Sequence, residues 1–460
     1  MNCSPCCGSD SGTIINGITN GQTTSFDSFN RTIIDAPTTI FATHMAFNQQ
    51  LNILDYRSTG TGSFFFDVSN TVTELTVAGV AGRAVKQSRE YLLYLPGKSQ
   101  VVHFTLTPHY RGTFDNNVAV RAGLFDDYRD KNTASSSNAG NSFGQEVNQK
   151  SMGHFFELSG NQWFVVERYN SPDNITNVTR VPQSQWNIDT VDGNINTSKS
   201  GFVLPSNPTF GILLFLDRQW LGVGIVRMGL FYNAKPIYVH AFQNRSIGIP
   251  YTHLPKLPLR WEIERTSTIG TVPSTTMASI CGAAFVGGQY LPYGNLYSLP
   301  ITTISSDIPV DQTLRPILLI RLQQQYCRAT VKLKSLELIN TNTNNADAGY
   351  QVCRNPILAG PSITWVKHPD PRSMIEYAFF SDPITSGYTL TNNGYVTRSG
   401  FFSARGQIQD DLSVEELLTA PSFASDIYGS PDVLCIAMIA LKASGGNLSV
   451  RANARWLEIY

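Results

Sequence analysis

The amino-acid sequence predicts an all-β protein with two or more β-sandwich domains of jelly-roll type. Short apolar runs of strand length recur along the chain, and turn residues separate them. Between residues 37 and 263 no stretch keeps the roughly 3.6-residue apolar period of a helix for three turns. Many short strands with almost no helices are typical of sandwiches and barrels.

Length and charge limit the functional class. The chain has 460 residues, enough for two or three β-domains. Only 15 % of residues are charged and the formal net charge is zero, whereas an average protein has about 25 % charged residues. Such a surface suits packing against other subunits, and it lacks the basic character of a nucleic-acid-binding protein. No apolar run approaches the ~20 residues of a membrane span.

Residues 1–36 are rich in Ser, Gly, Thr and Asn and predict a flexible arm that a partner would order. Cys3, Cys6 and Cys7 lie in this arm without a nearby fourth ligand, so a tetrahedral zinc site is not expected. We expect these cysteines to cross-link copies or to anchor the arm. The histidines show no metal-ligand spacing either, and no cofactor is predicted.

Residues 37–269 predict the first β-rich region. Its predicted strands include residues 60–68, 101–107, 118–125, 162–166, 211–216 and 236–242. Asn233, Ala234 and Lys235 stand between two such runs, a spacing typical of a hairpin. Residues 270–312, rich in Gly, Pro, Ser, Thr and Tyr, predict a connection to the next domain.

Residues 313–460 predict a C-terminal β-sandwich. Apolar and polar residues alternate over residues 330–339 and 448–456, as they do in half-buried strands. One short helix is expected near residues 413–420, because Ser413 and Glu416 form a capping box before two leucines.

Acidic residues are the main candidates for catalysis. The candidates are Asp126, Asp127, Asp130, Glu157, Asp189 and Asp192. Two carboxylates at a suitable separation can cleave glycosides, so a glycan-cleaving enzyme is one alternative. Asp126 and Asp127 follow a predicted strand, however, where aspartates commonly form turns. We interpret His240, within a strand, as a hydrogen-bonded and partly buried imidazole.

The segment from Trp220 to Gly229 is the most unusual. Its glycines, Gly222, Gly224 and Gly229, weaken a strand unless a bulky neighbour covers them. The expected covering side chains are Trp186, Trp220 and Tyr238. In an extended strand, Arg227 would lie on the same face as its apolar neighbours. We therefore expect it to have a buried partner or to lie against an aromatic ring. No helix follows, which excludes a nucleotide-binding loop.

Several segments, taken in order, carry a resemblance to a known family. They are residues 82–91, 96–99, 121–126, 153–157, 185–193, 220–229, 239–240, 257–263, 280–281 and 287–290. Gln185-Trp-Asn-Ile-Asp-Thr-Val-Asp-Gly193 and Leu257-Pro-Leu-Arg-Trp-Glu-Ile263 are the clearest. Together they resemble a family of virion structural proteins of tailed bacteriophages, notably marine cyanophages, and of some large DNA viruses.

The resemblance implies a non-enzymatic, multi-copy virion protein that contacts other virion proteins and forms homo-oligomers. It leaves the position in the particle open among capsid, vertex, neck, tail and fibre. The motif residues it implies are Trp186, Asp189, Asp192, Trp220, Gly222, Gly224, Arg227, His240, Arg260 and Glu262, none of them catalytic. One alternative is a receptor-binding fibre or spike, which would bind a host-surface glycan through Tyr290, Tyr293 or Tyr297. A tail-associated glycan-cleaving enzyme is the other.

Overall fold

The computed structural model describes most of the chain beyond residue 36. The described residues are 18–19, 22–23, 37–113, 115–127, 151–170, 176–194, 196–244, 248–252, 254–266, 273–288, 294–300, 306–309, 312–341, 347–381, 387–403, 407–413, 422–442 and 448–459. Cys3, Cys6 and Cys7 of the predicted arm lie outside these ranges. The helix predicted near residues 413–420 also lies outside them, apart from Ser413.

The N-terminal part is a β-sandwich of antiparallel strands. Two short strands, β1 (Ile18–Thr19) and β2 (Gln22–Thr23), pair only with each other. The strands of the sandwich are β3 (Thr38–His44), β4 (Leu54–Asp67), β5 (Val72–Ser88), β6 (Gln100–Gly112), β7 (Val118–Asp126), β8 (Met152–Ser159), β9 (Gln162–Asn170), β10 (Thr176–Pro182), β11 (Ile212–Arg218), β12 (Ile225–Tyr232), β13 (Lys235–Gln243), β14 (Leu259–Arg265), β15 (Thr275–Ser279) and β16 (Cys281–Val286). A short 3-10 turn, Gln183–Gln185, follows β10.

Fourteen of these strands form one sheet. Eleven of them follow the order β10-β9-β8-β7-β14-β5-β15-β6-β11-β12-β13. β4 adds to β5, while β16 joins β6 to β3. The long strands β5 and β6 pair with different neighbours along their lengths, so the sheet folds over one apolar core. Trp163 and Trp261 are fully buried in that core.

The C-terminal part is a second β-sandwich with its own core. Its strands are β17 (Asn295–Ser298), β18 (Ser306–Ile308), β19 (Arg315–Leu322), β20 (Thr330–Asn340), β21 (Asp347–Arg354), β22 (Ile357–Ala359), β23 (Val366–Lys367), β24 (Ile375–Phe379), β25 (Thr389–Asn392), β26 (Tyr395–Phe402), β27 (Gln407–Asp411), β28 (Val433–Lys442) and β29 (Leu448–Ile459). A 3-10 turn, Gln324–Tyr326, follows β19. Five- and six-stranded sheets enclose the core around Trp456. The all-β jelly-roll-like prediction is confirmed, and no helix of the described residues is long and apolar enough to cross a membrane.

The predicted connection at residues 270–312 is shorter than expected. β15 and β16 belong to the first sheet, and β17 and β18 pair with β29 of the second part. Small residues in β16 resemble loop composition, but they are needed for packing. A Cβ on Gly282 would lie 2.5 Å from Leu259 Cδ2 and 2.9 Å from Trp261 Cη2. The strands β15 and β16, at residues 275–286, are therefore part of the first sheet rather than of a connection.

The predicted hairpin at Asn233 is present between β12 and β13. Tyr232 pairs with Lys235, which leaves Asn233 and Ala234 as a two-residue loop. Their φ angles of 49° and 60° are those of a type I′ turn, whose twist matches the flanking strands.

Two of the three glycines in the Trp220–Gly229 segment were predicted in the wrong environment. Gly222 and Gly224 lie in the turn between β11 and β12, where Gly222 has a φ of 79°. Only Gly229 lies within a strand. A Cβ there would be 2.3 Å from Phe215 Cζ, so Phe215 covers it rather than the predicted Trp186, Trp220 or Tyr238.

We predict that Gly229→Ala lowers the free energy of unfolding by about 2 kcal/mol, because the added methyl group overpacks against Phe215. Gly287→Ala is the matched control, since a Cβ there meets nothing within 4 Å. Urea unfolding at equilibrium measures both variants. Equal midpoints for the two would contradict the packing assigned to Gly229.

Candidate functional site

One face of the first sheet carries a layer of charged side chains. Along β14, Leu259, Trp261 and Ile263 point into the apolar core. Alternate residues of a strand point to opposite faces, so Arg260, Glu262 and Glu264 share the other face. With neighbouring charges they form what we call the ion-pair layer: Arg83, Arg121, Glu157, Arg180, Arg260, Glu262 and Glu264.

Glu262 is the centre of the ion-pair layer. Its Oε1 accepts a hydrogen bond from Arg121 Nη1 at 2.7 Å. Its Oε2 accepts one from Arg83 Nη2 at 2.9 Å and another from Arg260 Nη2 at 2.6 Å. The donors come from β5, β7 and β14, and the Glu262 side chain is fully buried. Three strands therefore meet at one carboxylate.

Arg121 extends the layer across the sheet towards β10. Its Nη1 also donates to Glu264 Oε2 at 2.5 Å, and its Nε donates to Glu157 Oε2 at 2.6 Å. The other oxygen of Glu157 accepts from Arg180 Nε at 2.6 Å. Arg180 is partly exposed, so the layer runs from the buried centre to solvent.

The electrostatics of the layer favour the charged forms. Burial by itself would raise the pKa of Glu262. The guanidiniums of Arg83, Arg260 and Arg121 outweigh burial and hold that pKa well below its usual range. Burial would lower the pKa of Arg121, but the surrounding carboxylates raise it. Both partners therefore stay ionised, with Glu262 fully buried and 12 % of the Arg121 side chain exposed.

The layer draws on four of the segments that carry the family resemblance. Residues 82–91 supply Arg83, residues 121–126 supply Arg121, residues 153–157 supply Glu157, and residues 257–263 supply Arg260 with Glu262. Arg260 and Glu262 were named from the sequence, but their pairing with Arg83 and Arg121 was not predicted. The alternation of charged and apolar residues along β14 was the available sign of a charged face.

Arg227 lies among the kinds of neighbours that were expected for a charged residue on an apolar face. Its Nη2 donates to Asp217 Oδ2 at 2.7 Å, and its guanidinium lies 4.8 Å from the centroid of the Tyr238 ring. The same carboxylate accepts from the Tyr238 hydroxyl at 3.1 Å and from Ser99 Oγ at 3.0 Å. The expectation was a buried partner or an aromatic face, and Arg227 has both.

His240 and Trp186 hold the 185–193 segment against the sheet. The backbone amide of Asn187 donates to His240 Nδ1 at 3.3 Å. Burial lowers the pKa of His240 to about 4, so the imidazole is neutral at neutral pH and acts as an acceptor. The indole of Trp186 is buried and donates to the carbonyl of Val181 at 3.2 Å.

Asp189 and Asp192 shape the same segment through backbone contacts. Asp189 accepts hydrogen bonds from the amides of Val191 at 2.8 Å and Ser200 at 2.7 Å. Asp192 accepts from the amide of Asn194 at 2.9 Å, which lowers the pKa of Asp192. Both carboxylates are turn residues in this geometry.

The remaining acidic candidates are also engaged internally. Asp126 accepts from the Tyr91 hydroxyl at 2.9 Å, and Asp127 lies 3.4 Å from Arg168 Nη1. Asp130 lies outside the described residues. Within the described part of the chain, no cluster of three or more His, Cys, Asp or Glu side chains could hold a metal ion.

A seam of charged contacts joins the two sandwiches. Arg328 Nη2 of the C-terminal part lies 2.5 Å from Asp126 Oδ2, and both side chains are buried. Asp432 pairs with Arg89 at 2.9 Å and also with Arg354. Burial would raise the pKa of Asp432, but these two guanidiniums lower it. The strands that hold the ion-pair layer thus also contact the second sandwich.

We predict that Glu262→Gln costs about 3–5 kcal/mol of unfolding free energy at neutral pH, because the buried Arg260 guanidinium loses the carboxylate it pairs with, and Arg83 and Arg121 each lose one carboxylate partner. Since the folded-state pKa of Glu262 is lowered, its contribution is present above the ordinary glutamate pKa and is lost as pH falls towards the lowered value. Glu337→Gln, at a partly exposed pair with Arg455, is the control and should cost below about 1 kcal/mol. Equal costs in urea unfolding would contradict the central role of Glu262.

Comparisons with known proteins show only distant likenesses. No protein-family model and no curated protein matches the chain. Among solved structures, an endo-1,3-β-glucanase from Streptomyces sioyaensis is 10 % identical with a TM-score of 0.33, covering 55 % of this chain and 97 % of its own. The Emp47p carbohydrate recognition domain is 11 % identical with a TM-score of 0.29, over 55 % and 97 %. The legume lectin-like domain from Entamoeba histolytica is 10 % identical with a TM-score of 0.28, over 55 % and 99 %.

Proposed function

We propose that this chain is a structural component of a virus particle, present in multiple copies and acting through subunit contacts rather than catalysis. The observation that carries the proposal is the convergence of charged residues from four family-like segments in the ion-pair layer. Those residues are paired with one another inside the sheet. Their chemistry is therefore structural, as the resemblance to virion proteins implies.

The surface supports a role in assembly. Several large apolar side chains are exposed, among them Phe47 at 83 % and Phe401 at 79 %. Exposed aromatic groups of this kind mark contact surfaces for other proteins. Combined with the low overall charge, they favour burial against neighbouring subunits.

The two alternatives have less support. For host attachment, Tyr290 and Tyr293 lie outside the described residues. The ring of Tyr297 lies 5.5 Å from that of His368, so it already has a neighbour inside the chain. For glycan cleavage, the described acidic candidates all accept internal hydrogen bonds or pair with guanidiniums.

We predict that the chain co-sediments with intact particles in a density gradient and that gold-labelled antibodies against it bind those particles. A chain lacking the residues before Asp35 should keep its circular dichroism spectrum and melting temperature but fail to be incorporated, because the arm docks on a neighbour. Mass spectrometry of purified particles measures both forms. Absence of the full chain from particles would overturn the proposal, and normal incorporation of the shortened chain would remove the role of the arm.

A further inference from the structure

Strand β4 is an edge of the first sheet. It pairs with β5 from Leu54 to Asp67, and among the described residues it has no strand partner on its other side. An unprotected edge presents backbone donors and acceptors to other chains, so natural edge strands are usually short or carry charged residues or proline. Residues 58–66 have neither safeguard: the sequence is Ser-Thr-Gly-Thr-Gly-Ser-Phe-Phe-Phe. A register shift between Gly60 and Gly62 is the one irregularity.

Apolar side chains are exposed along this edge. Phe65 is 61 % exposed, and Val80 on the adjoining strand β5 is 45 % exposed. Phe64 on β4 and Val68, directly after β4, are exposed as well. We call these four residues with residues 58–66 the β4 edge. It combines open backbone groups with an apolar surface, which is the combination that strand addition uses.

The sequence of the β4 edge is complementary to itself. If a second copy pairs antiparallel about Gly62, Arg57 of one copy stands opposite Asp67 of the other, at both ends of the paired segment. No like charges face each other. In the same register Gly60 stands opposite Phe64, and an aromatic ring across from a glycine stabilises a strand pair.

Both ends of the edge are held in place within the chain. Arg57 Nη2 lies 3.0 Å from Asp426 Oδ2, and Asp67 Oδ2 lies 3.1 Å from Arg111 Nη2. These contacts fix the strand that a second copy would meet, so little ordering is needed on association.

We propose that two copies of this chain pair through the β4 edge, antiparallel and around a two-fold axis at Gly62. Such an interface is isologous, because the same surface serves both copies. The inference rests on the proposed function in one respect, the multi-copy role that makes a second copy the partner. Beyond the proposed function, it names the surface through which two copies associate and the register in which their β4 strands pair.

Cysteine cross-linking of the purified full-length chain tests the register. In a background with serine at positions 3, 6 and 7, Thr59→Cys combined with Phe65→Cys should give a disulfide-linked dimer on mild oxidation, because these positions face each other across the axis. Thr59→Cys combined with Val178→Cys is the control, since Val178 is exposed on β10 away from the edge. The control should stay unlinked.

Light scattering after size exclusion tests the interface independently. The wild-type chain should be dimeric, and Phe65→Lys should make it monomeric without changing its circular dichroism spectrum, while Phe47→Lys should leave the dimer intact. A monomeric wild-type chain, or a dimer that survives Phe65→Lys and forms no 59–65 link, would overturn the interface. Either result is independent of particle incorporation, whose absence would overturn the proposed function instead.

Discussion

A single buried carboxylate, that of Glu262, sets the strictest requirement in this structure. It lies between guanidiniums from β5, β7 and β14 without contact with water. Burying these charges is costly unless all of them are paired, and a slip of one residue in any of the three strands would move its arginine to the opposite face. The ion-pair layer therefore specifies the register of the central strands as well as contributing to stability.

The same strands connect the two sandwiches. β7 carries Arg121 inside the layer and ends at Asp126, which pairs with Arg328 of the C-terminal part. β5 carries Arg83 and leads to Arg89, which pairs with Asp432. A change in strand register would thus disturb both the layer and the seam. This coupling suits a protein whose task is to hold a defined shape among neighbours.

Local patterns in the sequence predicted what depends on local chemistry. Strand periodicity, the turn at Asn233 and the environment of Arg227 follow from residue types a few positions apart. The secondary structure of residues 270–312 was harder to predict from the sequence. The small residues of β16 that fit beneath Trp261 have the composition of a loop. Arg260 and Glu262 pair with each other, but their further partners Arg121 and Gln87 could not be predicted, since these lie over a hundred residues away and depend on strand order.

The energetic coupling between Arg121 and Glu262 measures whether the ion-pair layer organises the sheet. Urea unfolding of Arg121→Met, Glu262→Gln and the double variant gives the interaction energy of the pair. The coupling should exceed about 1.5 kcal/mol, because Arg121 donates directly to the fully buried Glu262 carboxylate and either replacement removes that contact. Additive effects, with a coupling within about 0.5 kcal/mol of zero, would contradict the claim that the ion-pair layer organises the sheet.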